Sequence, residues 1–331
     1  TDSQKPEFNP LTTEDLIPKA LNISPTFKPE IIVHLADIHI PINLHVKRHD
    51  EYNEVFENLY HELMKLPSNK LIIIAGDLVN TKLRTENETL IMAQNFLSRL
   101  SSIAPTIVGI GNHDFAENNL ERVNSVEAIC NTLPDIHVLK TTGIYTINNL
   151  WLVFNSLYDL KFIHRKDIQT THPVYALYHG SLVGAMMDNG TLIKSPHSKR
   201  YPTITDFDGF DAVILGHVHK FQKLKPHIAY SGSLIQQNYG ESIEHHGMLL
   251  WDIKTHTSTH VEIPNPYAYI TLTVDKGELM EIDKDKLKTV ASKYLRVRYC
   301  KTPDTTPSQL EKLETQLNTM YTIKESTYKS Q

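Results

Sequence analysis

The sequence predicts an α/β fold with a small C-terminal α+β unit attached. Three observations carry this. Apolar runs of strand length alternate with helix-like segments through the first 130 residues, the pattern then changes to short strands with tight turns, and a second change falls at Pro264–Pro266. Near-continuous apolar runs mark parallel strands buried on both faces.

Residues 1–30 are polar and proline-interrupted, with a weak helical stretch at 13–21, and form a surface-wrapped extension. Residues 31–36 then read as a strand, 52–65 as a helix, 71–75 as a strand, 87–100 as a helix, 106–110 as a strand and 125–131 as a short helix. From about Ile136 the segments 144–147, 151–154, 248–253 and 260–263 suggest antiparallel hairpins, with Asn148-Asn149 as one turn. Residues 174–178 and 212–215 return to the buried-strand type. Beyond residue 264 come a strand (269–274), a helix (284–292), a strand (295–299), a helix (307–320) and a short strand near Thr322, in a split βαβ order. The expected domains are 1–30 (extension), 31–264 (catalytic) and 265–331 (appended).

The chain has 331 residues, 40% of them apolar, enough for a sizeable core. No run approaches the roughly 20 apolar residues of a membrane span. Cys130 and Cys300 form no disulfide framework and fit a reducing compartment. The net charge of -5 argues against coating by nucleic acid, yet residues 150–230 hold nine Lys or Arg against six Asp.

Five strands end alike. They run into Asp37-Ile38-His39, Gly76-Asp77, Gly111-Asn112-His113-Asp114, His179-Gly180 and Gly216-His217-Val218-His219. The carboxyl ends of strands in an open α/β sheet share one rim, where ligands bind. Asp37, His39, Asp77, Asn112, His179, His217 and His219 therefore converge. In an extended segment, residues i and i+2 point to one side, which pairs Asp37 with His39 and His217 with His219. Gly76, Gly111 and Gly216 allow sharp turns beside them. Oxygen and nitrogen donors without a thiolate select Mn²⁺, Fe or Zn²⁺, with Mg²⁺ as a further candidate. Seven ligands exceed one tetrahedral ion and suit two ions about 3.5–4 Å apart, bridged by Asp77. His113 is the best candidate for general acid. Asp114 either orients it or caps the following segment. Each motif alone is an ordinary turn or histidine pair. Their order, each at a strand end, makes coincidence very improbable.

That order resembles the calcineurin-like metallophosphoesterases. Two further stretches, His34 to His39 and Ser231-Gly232-Ser233-Leu234-Ile235-Gln236 with Tyr239-Gly240-Glu241, resemble the bacterial SbcD nuclease subunit and its archaeal, eukaryotic and viral double-strand-break-repair relatives. The resemblance covers residues 31–264 and, more loosely, 265–331. It implies a two-sheet β-sandwich flanked by helices, with a DNA-capping domain behind it. It assigns one ion to Asp37, His39, Asp77 and His219, and the other to Asp77, Asn112, His179 and His217, with His113 as the catalytic histidine. It further implies two Mn²⁺, DNA ends cut by 3′-to-5′ exonuclease and endonuclease activities, a nuclease homodimer and an SbcC-like ABC-type coiled-coil ATPase partner. The implied location is the cytoplasm at the nucleoid, or the nucleus of a eukaryote, with no membrane association.

The chain departs from the family in three ways. Asn80 stands where many relatives carry His, the N-terminal extension is longer than in bacterial relatives, and the chain stops shortly after the cap-like unit. Lys199, Arg200, Lys220, Lys223 and Lys225 crowd the motif loops as candidate phosphate contacts. Tyr201, Phe221 and Tyr239 are candidate stacking aromatics. The competing expectation is a cyclic-nucleotide phosphodiesterase of the same superfamily. Protein phosphatases read Gly-Asp-x-x-Asp-Arg-Gly and Gly-Asn-His-Glu, and neither occurs.

Overall fold

The computed structural model describes residues 7–42, 47–82 and 84–331. In chain order the elements are β1 (Lys19–Ala20), β2 (Ile31–Leu35), α1 (His49–Met64), β3 (Lys70–Ala75), α2 (Asn87–Ile103), β4 (Thr106–Gly109), α3 (Ser125–Cys130), β5 (Ile136–Leu139), β6 (Gly143–Ile147), β7 (Leu150–Asn155), β8 (Val174–His179), β9 (Ala212–Gly216), β10 (Gln222–Lys225) and β11 (Ile228–Tyr230). There follow β12 (Gly247–Asp252), β13 (Thr257–Glu262), β14 (Tyr267–Asp275), β15 (Glu278–Leu279), α4 (Glu281–Thr289), β16 (Tyr294–Lys301), α5 (Pro307–Met320) and β17 (Thr322–Ser330).

They form three sheets, ordered β13-β12-β2-β3-β4-β5, β1-β6-β7-β8-β9-β11-β10 and β15-β14-β16-β17. In the first, β2 through β5 run parallel and β12 closes antiparallel on β2. In the second, β7, β8, β9 and β11 run parallel. The first two sheets pack face to face. Alternate residues of β7, such as Leu152 and Phe154, join one core with Ile32, Ile72 and Ile74. The intervening Val153 faces away, into a second core with Phe162, Phe207 and Phe210. This is the period-2 alternation of a strand, used on both faces.

Helices cover the outer face of the first sheet. In α1 the buried residues Tyr52, Val55, Phe56, Leu59, Tyr60 and Leu63 recur at helical spacing, which turns one stripe inward. Among the described residues, the outer face of the second sheet is covered by loops and short 3-10 turns, not by long helices. The expected sandwich is present, with helices on one flank.

Several expectations change. Ile136–Leu139 pairs parallel with β4, so the first sheet gains a fourth parallel strand before the hairpins begin. The weak helix at 13–21 is one 3-10 turn, Glu14–Leu16, followed by β1, which pairs parallel with β6. The N-terminal segment thus extends a sheet edge, and Phe8, Leu11 and Leu16 pack on the second core. Helix α4 begins three residues early because its start, at Met280, has no side-chain cap to announce it. Helix α5 matches its expected span. Thr306 and Gln309 form a reciprocal cap and Pro307 occupies the first turn. The last strand is nine residues long, mostly exposed and without apolar alternation, so only its start was legible. Cys130 and Cys300 are both buried free thiols. Among the described residues, no helix is long and apolar enough to cross a membrane.

Candidate metal centre

The parallel strands deliver their C-terminal ends to one place. Asp37 and His39 follow β2, Asp77 follows β3, Asn112 and His113 follow β4, His179 ends β8, and His217 and His219 follow β9. The structure brings all eight together. Asp37, His39 and His219 form one group whose ligand atoms lie within 4.8 Å of one another, and Asp77, His179 and His217 form another. Asn112 Oδ1 lies 2.9 Å from His179 Nε2 and 3.0 Å from His217 Nδ1. Asp77 Oδ2 stands between the groups, 3.3 Å from His179 Nε2 and 3.6 Å from His39 Nε2.

Local conformation differs from the expected extended segments. Asp37, His39, Asp77 and His217 have φ of 52°, 50°, 57° and 102°. Four non-glycine residues in the left-handed region hold strain that the surrounding fold must maintain, and such strain gathers at functional sites. The i, i+2 argument therefore grouped Asp37 with His39 correctly by the wrong geometry, and its pairing of His217 with His219 fails, because His219 joins Asp37 and His39 while His217 joins Asp77 and His179. The glycines also divide. Gly76, at φ +87°, makes the expected turn, whereas Gly216 is needed for space: a Cβ there would lie 2.0 Å from the Ala75 carbonyl oxygen. Gly216→Ala is expected to cost about 1–3 kcal/mol, as overpacking does, read as a lower denaturation midpoint. An unchanged midpoint would show that β9 moves freely relative to β3.

The donors favour positive charge. Burial pushes Asp77 up, but the His179 and His39 imidazoles outweigh it and hold the carboxyl well below its ordinary range. Burial lowers His179 and His219, yet Asp77 raises the first and Glu241 the second, to about 9 each. Burial and the neighbouring His179 push His217 down to about 4. Carboxylates and imidazoles compressed in this way fit hard or borderline cations. Two details of the structure test that fit. His39 Nε2 and His219 Nε2 face each other at 3.0 Å, and the buried His39 Nδ1 has no hydrogen-bond partner among the described residues. The first group with Asp77 would hold one ion, and the second group with Asn112 another. Held by these residues, divalent ions would supply Lewis-acid polarisation of a phosphoryl group and lower the pKa of water.

Outer contacts fix the ring orientations. His179 Nδ1 donates to the Ala75 carbonyl at 2.6 Å, and His219 Nδ1 donates to Glu241 Oε1 at 2.6 Å. Such partners select the tautomer that turns the other nitrogen inward. Glu241 was absent from the expected ligand shell, and 22 residues of separation from His219 give no spacing signal. Asp114 does neither of the two things expected of it. Its buried carboxylate accepts from the backbone N–H groups of Asp77 (2.9 Å), Leu78 (3.1 Å) and Gly111 (2.7 Å), which ties two site loops together. Burial and the adjacent Asp77 push it up to about 7. His113 is oriented by the backbone of Asn80, whose carbonyl accepts from Nδ1 at 3.1 Å. Its ring stands edge-on to His39, with centroids 5.0 Å apart.

The candidate phosphate contacts are scattered. Lys220 lines a cavity of about 760 Å³ with Glu241, Asp188, Tyr239 and residues of α4. Lys223 donates to the Ser258 carbonyl at 2.6 Å, and Lys225 is exposed. Lys199 lies 4.0 Å from Glu117, and Arg200 is 3.2 Å from Asp206 and stacks over Phe8. Phe221 packs on His260, and Tyr239 packs between Tyr269 and Arg298. Tyr201 is half-buried.

The paired strand-end donors on a two-sheet sandwich define a metal-dependent phosphoesterase. The family model described as calcineurin-like phosphoesterase matches residues 31–221. The chain belongs to that family. It is 33% identical over 335 residues to an uncharacterised protein of Acanthamoeba polyphaga mimivirus, covering 96% of this chain and 24% of that one. The chain thus spans about a quarter of that relative's length. It is 27% identical over 233 residues to a protein of Invertebrate iridescent virus 6 named as a phosphoesterase, covering 66% of this chain and 74% of that one. It is also 27% identical over 262 residues to the SbcD component of the SbcCD nuclease of Staphylococcus saprophyticus, covering 70% of this chain and 68% of that one.

Proposed function

We propose that the chain is the Mn²⁺-dependent nuclease subunit of a DNA-end-processing complex, cutting phosphodiesters by exonuclease and endonuclease activity. It would act as a homodimer with an SbcC-like ABC-type ATPase. One observation carries the reading. The segments 231–236 and 239–241 join the metal centre directly to the third sheet: Gln236 bonds the Tyr269 backbone, and Glu241 bonds His219. The appended unit is therefore built onto the site, as a cap over a polymeric substrate requires. A phosphodiesterase acting on a cyclic nucleotide needs no such unit. The SbcCD relative supports the same reading.

The deciding assay offers linear DNA, hairpin DNA and a cyclic dinucleotide in Mn²⁺, with and without the candidate ATPase. Degradation of DNA is expected. Turnover of the cyclic dinucleotide alone would replace the nuclease reading with the small-molecule one. The basic residues make a narrower prediction. Lys220→Ala is expected to reduce the log–log salt slope of DNA binding by about 1. Lys223→Ala should leave that slope unchanged, because its ammonium is committed to Ser258. Equal effects would mean that the Lys223 contact breaks on binding.

A further inference from the structure

A buried relay runs from the third sheet to one metal ligand. It begins at Gln236. Its side-chain Oε1 accepts from the Tyr269 N–H at 2.8 Å, and its Nε2 donates to the Tyr269 carbonyl at 3.1 Å. The amide thereby mimics a strand neighbour for the start of β14. The same Nε2 also donates to the Glu241 carbonyl at 3.0 Å. A second tie lies beside it. Arg48 donates to the Gln236 carbonyl at 2.7 Å and to Glu51, and Glu51 also accepts from Arg296 of β16 at 3.1 Å. Gln236, Arg48, Glu51 and Arg296 are all at most 4% exposed. Buried groups of this kind hold a fixed geometry, because a broken bond leaves an uncompensated polar atom.

Glu241 receives the relay. Its Oε2 accepts from Ser233 Oγ at 3.1 Å and from the Gln237 N–H at 2.9 Å, which leaves Oε1 fixed against His219 Nδ1. Nδ1 then carries one proton, and Nε2, which faces Asp37 and His39, is the nitrogen that would bind an ion. We infer that Glu241 is the positioning residue for His219 and that Gln236 makes that positioning depend on the seating of the third sheet. Movement of that sheet therefore changes the affinity for the His219-held ion and spares the other. This inference rests on the two-ion reading of the site.

Mn²⁺ titration calorimetry on the full chain tests it, with thermal denaturation as a check on folding. The wild-type protein is expected to take up two Mn²⁺. Glu241→Gln keeps the size and an acceptor but removes the charge, and should weaken one ion by about 10–100-fold while the other is held as before. Gln236→Ala should weaken that same ion. Unchanged affinities in Glu241→Gln, or equal weakening of both ions, would overturn the positioning role. An effect in Glu241→Gln with none in Gln236→Ala would break the link to the third sheet. A second readout needs no metal. The His219 Nδ1–H proton should give a deshielded, exchange-protected NMR signal, lost in Glu241→Ala and exchanging faster in Gln236→Ala. A wild-type protein that binds no Mn²⁺ defeats the proposed function, whereas an unaltered proton signal in these variants defeats the relay.

Discussion

Asp77→Ala is expected to bind neither ion and to hydrolyse phosphodiesters no faster than background. Asp77 faces both donor groups, with Oδ2 3.3 Å from His179 and 3.6 Å from His39. Its other oxygen accepts the His113 N–H at 2.8 Å, so the loop carrying His113 is anchored on the same side chain. Truncation removes the shared charge from both sites and frees that loop. The effect should exceed the roughly 10–100-fold loss typical of removing an outer contact. The fold should survive. The loop backbone is held independently by Asp114, which accepts from the Asp77 and Leu78 N–H groups. His179 loses the carboxylate that raises it, and burial then favours its neutral form. Elemental analysis of the purified variant decides the matter: two ions per chain would show that Asp77 is not shared. Asp77→Asn is the companion variant. It keeps an oxygen for the His113 N–H and loses only the charge, so retained folding with lost metal isolates the electrostatic contribution.

The parts of this centre that the sequence displayed are those with a local chemical signature. Asp37, His39, Asp77, Asn112, His179, His217 and His219 each follow an apolar strand, and parallel strands place their ends together without further information. The parts that stayed hidden are non-local or conformational. Aspartate and histidine give no strong sign that they will adopt φ near +50°, so the strained turns at Asp37, His39 and Asp77 could not be read. Glu241 is held against His219 by bonds from Ser233 and Gln237, and Asp114 looked like a partner for its neighbour His113 while bonding the loop after β3. In the fold, β1 was illegible because two residues at a sheet edge carry no periodicity. β17 was almost so, because its exposed faces alternate nothing apolar. β5 was assigned to the hairpin region because its pairing with β4 depends on the crossover through α3 and not on its own composition.

His113→Gln separates proton delivery from metal binding. The ring lies beside His39 and Asp77, with ligand atoms within 4.8 Å, so position alone permits either a ligand or an acid. The hydrogen bond orients the ring without choosing between the two, since the ligand candidate His179 makes the same kind of bond to Ala75. With Nδ1 donating to the Asn80 carbonyl, Nε2 is the nitrogen left to exchange a proton, and a backbone carbonyl orients the ring without binding metal. Glutamine keeps polarity and reach but delivers no proton at neutral pH. Metal content and DNA affinity should therefore match the wild type, while DNA cleavage falls about 10²–10⁴-fold, the usual worth of general acid catalysis. The leaving group supplies the sharper discrimination. A 3′-oxygen leaving from deoxyribose needs a proton as its bond to phosphorus breaks, whereas a nitrophenolate departs without one. The variant should retain most of its activity on a nitrophenyl phosphodiester and lose it on DNA. Equal losses on both substrates would make His113 a positioning residue for the phosphate. Loss of one ion would instead place it in the coordination shell with His39 and Asp77.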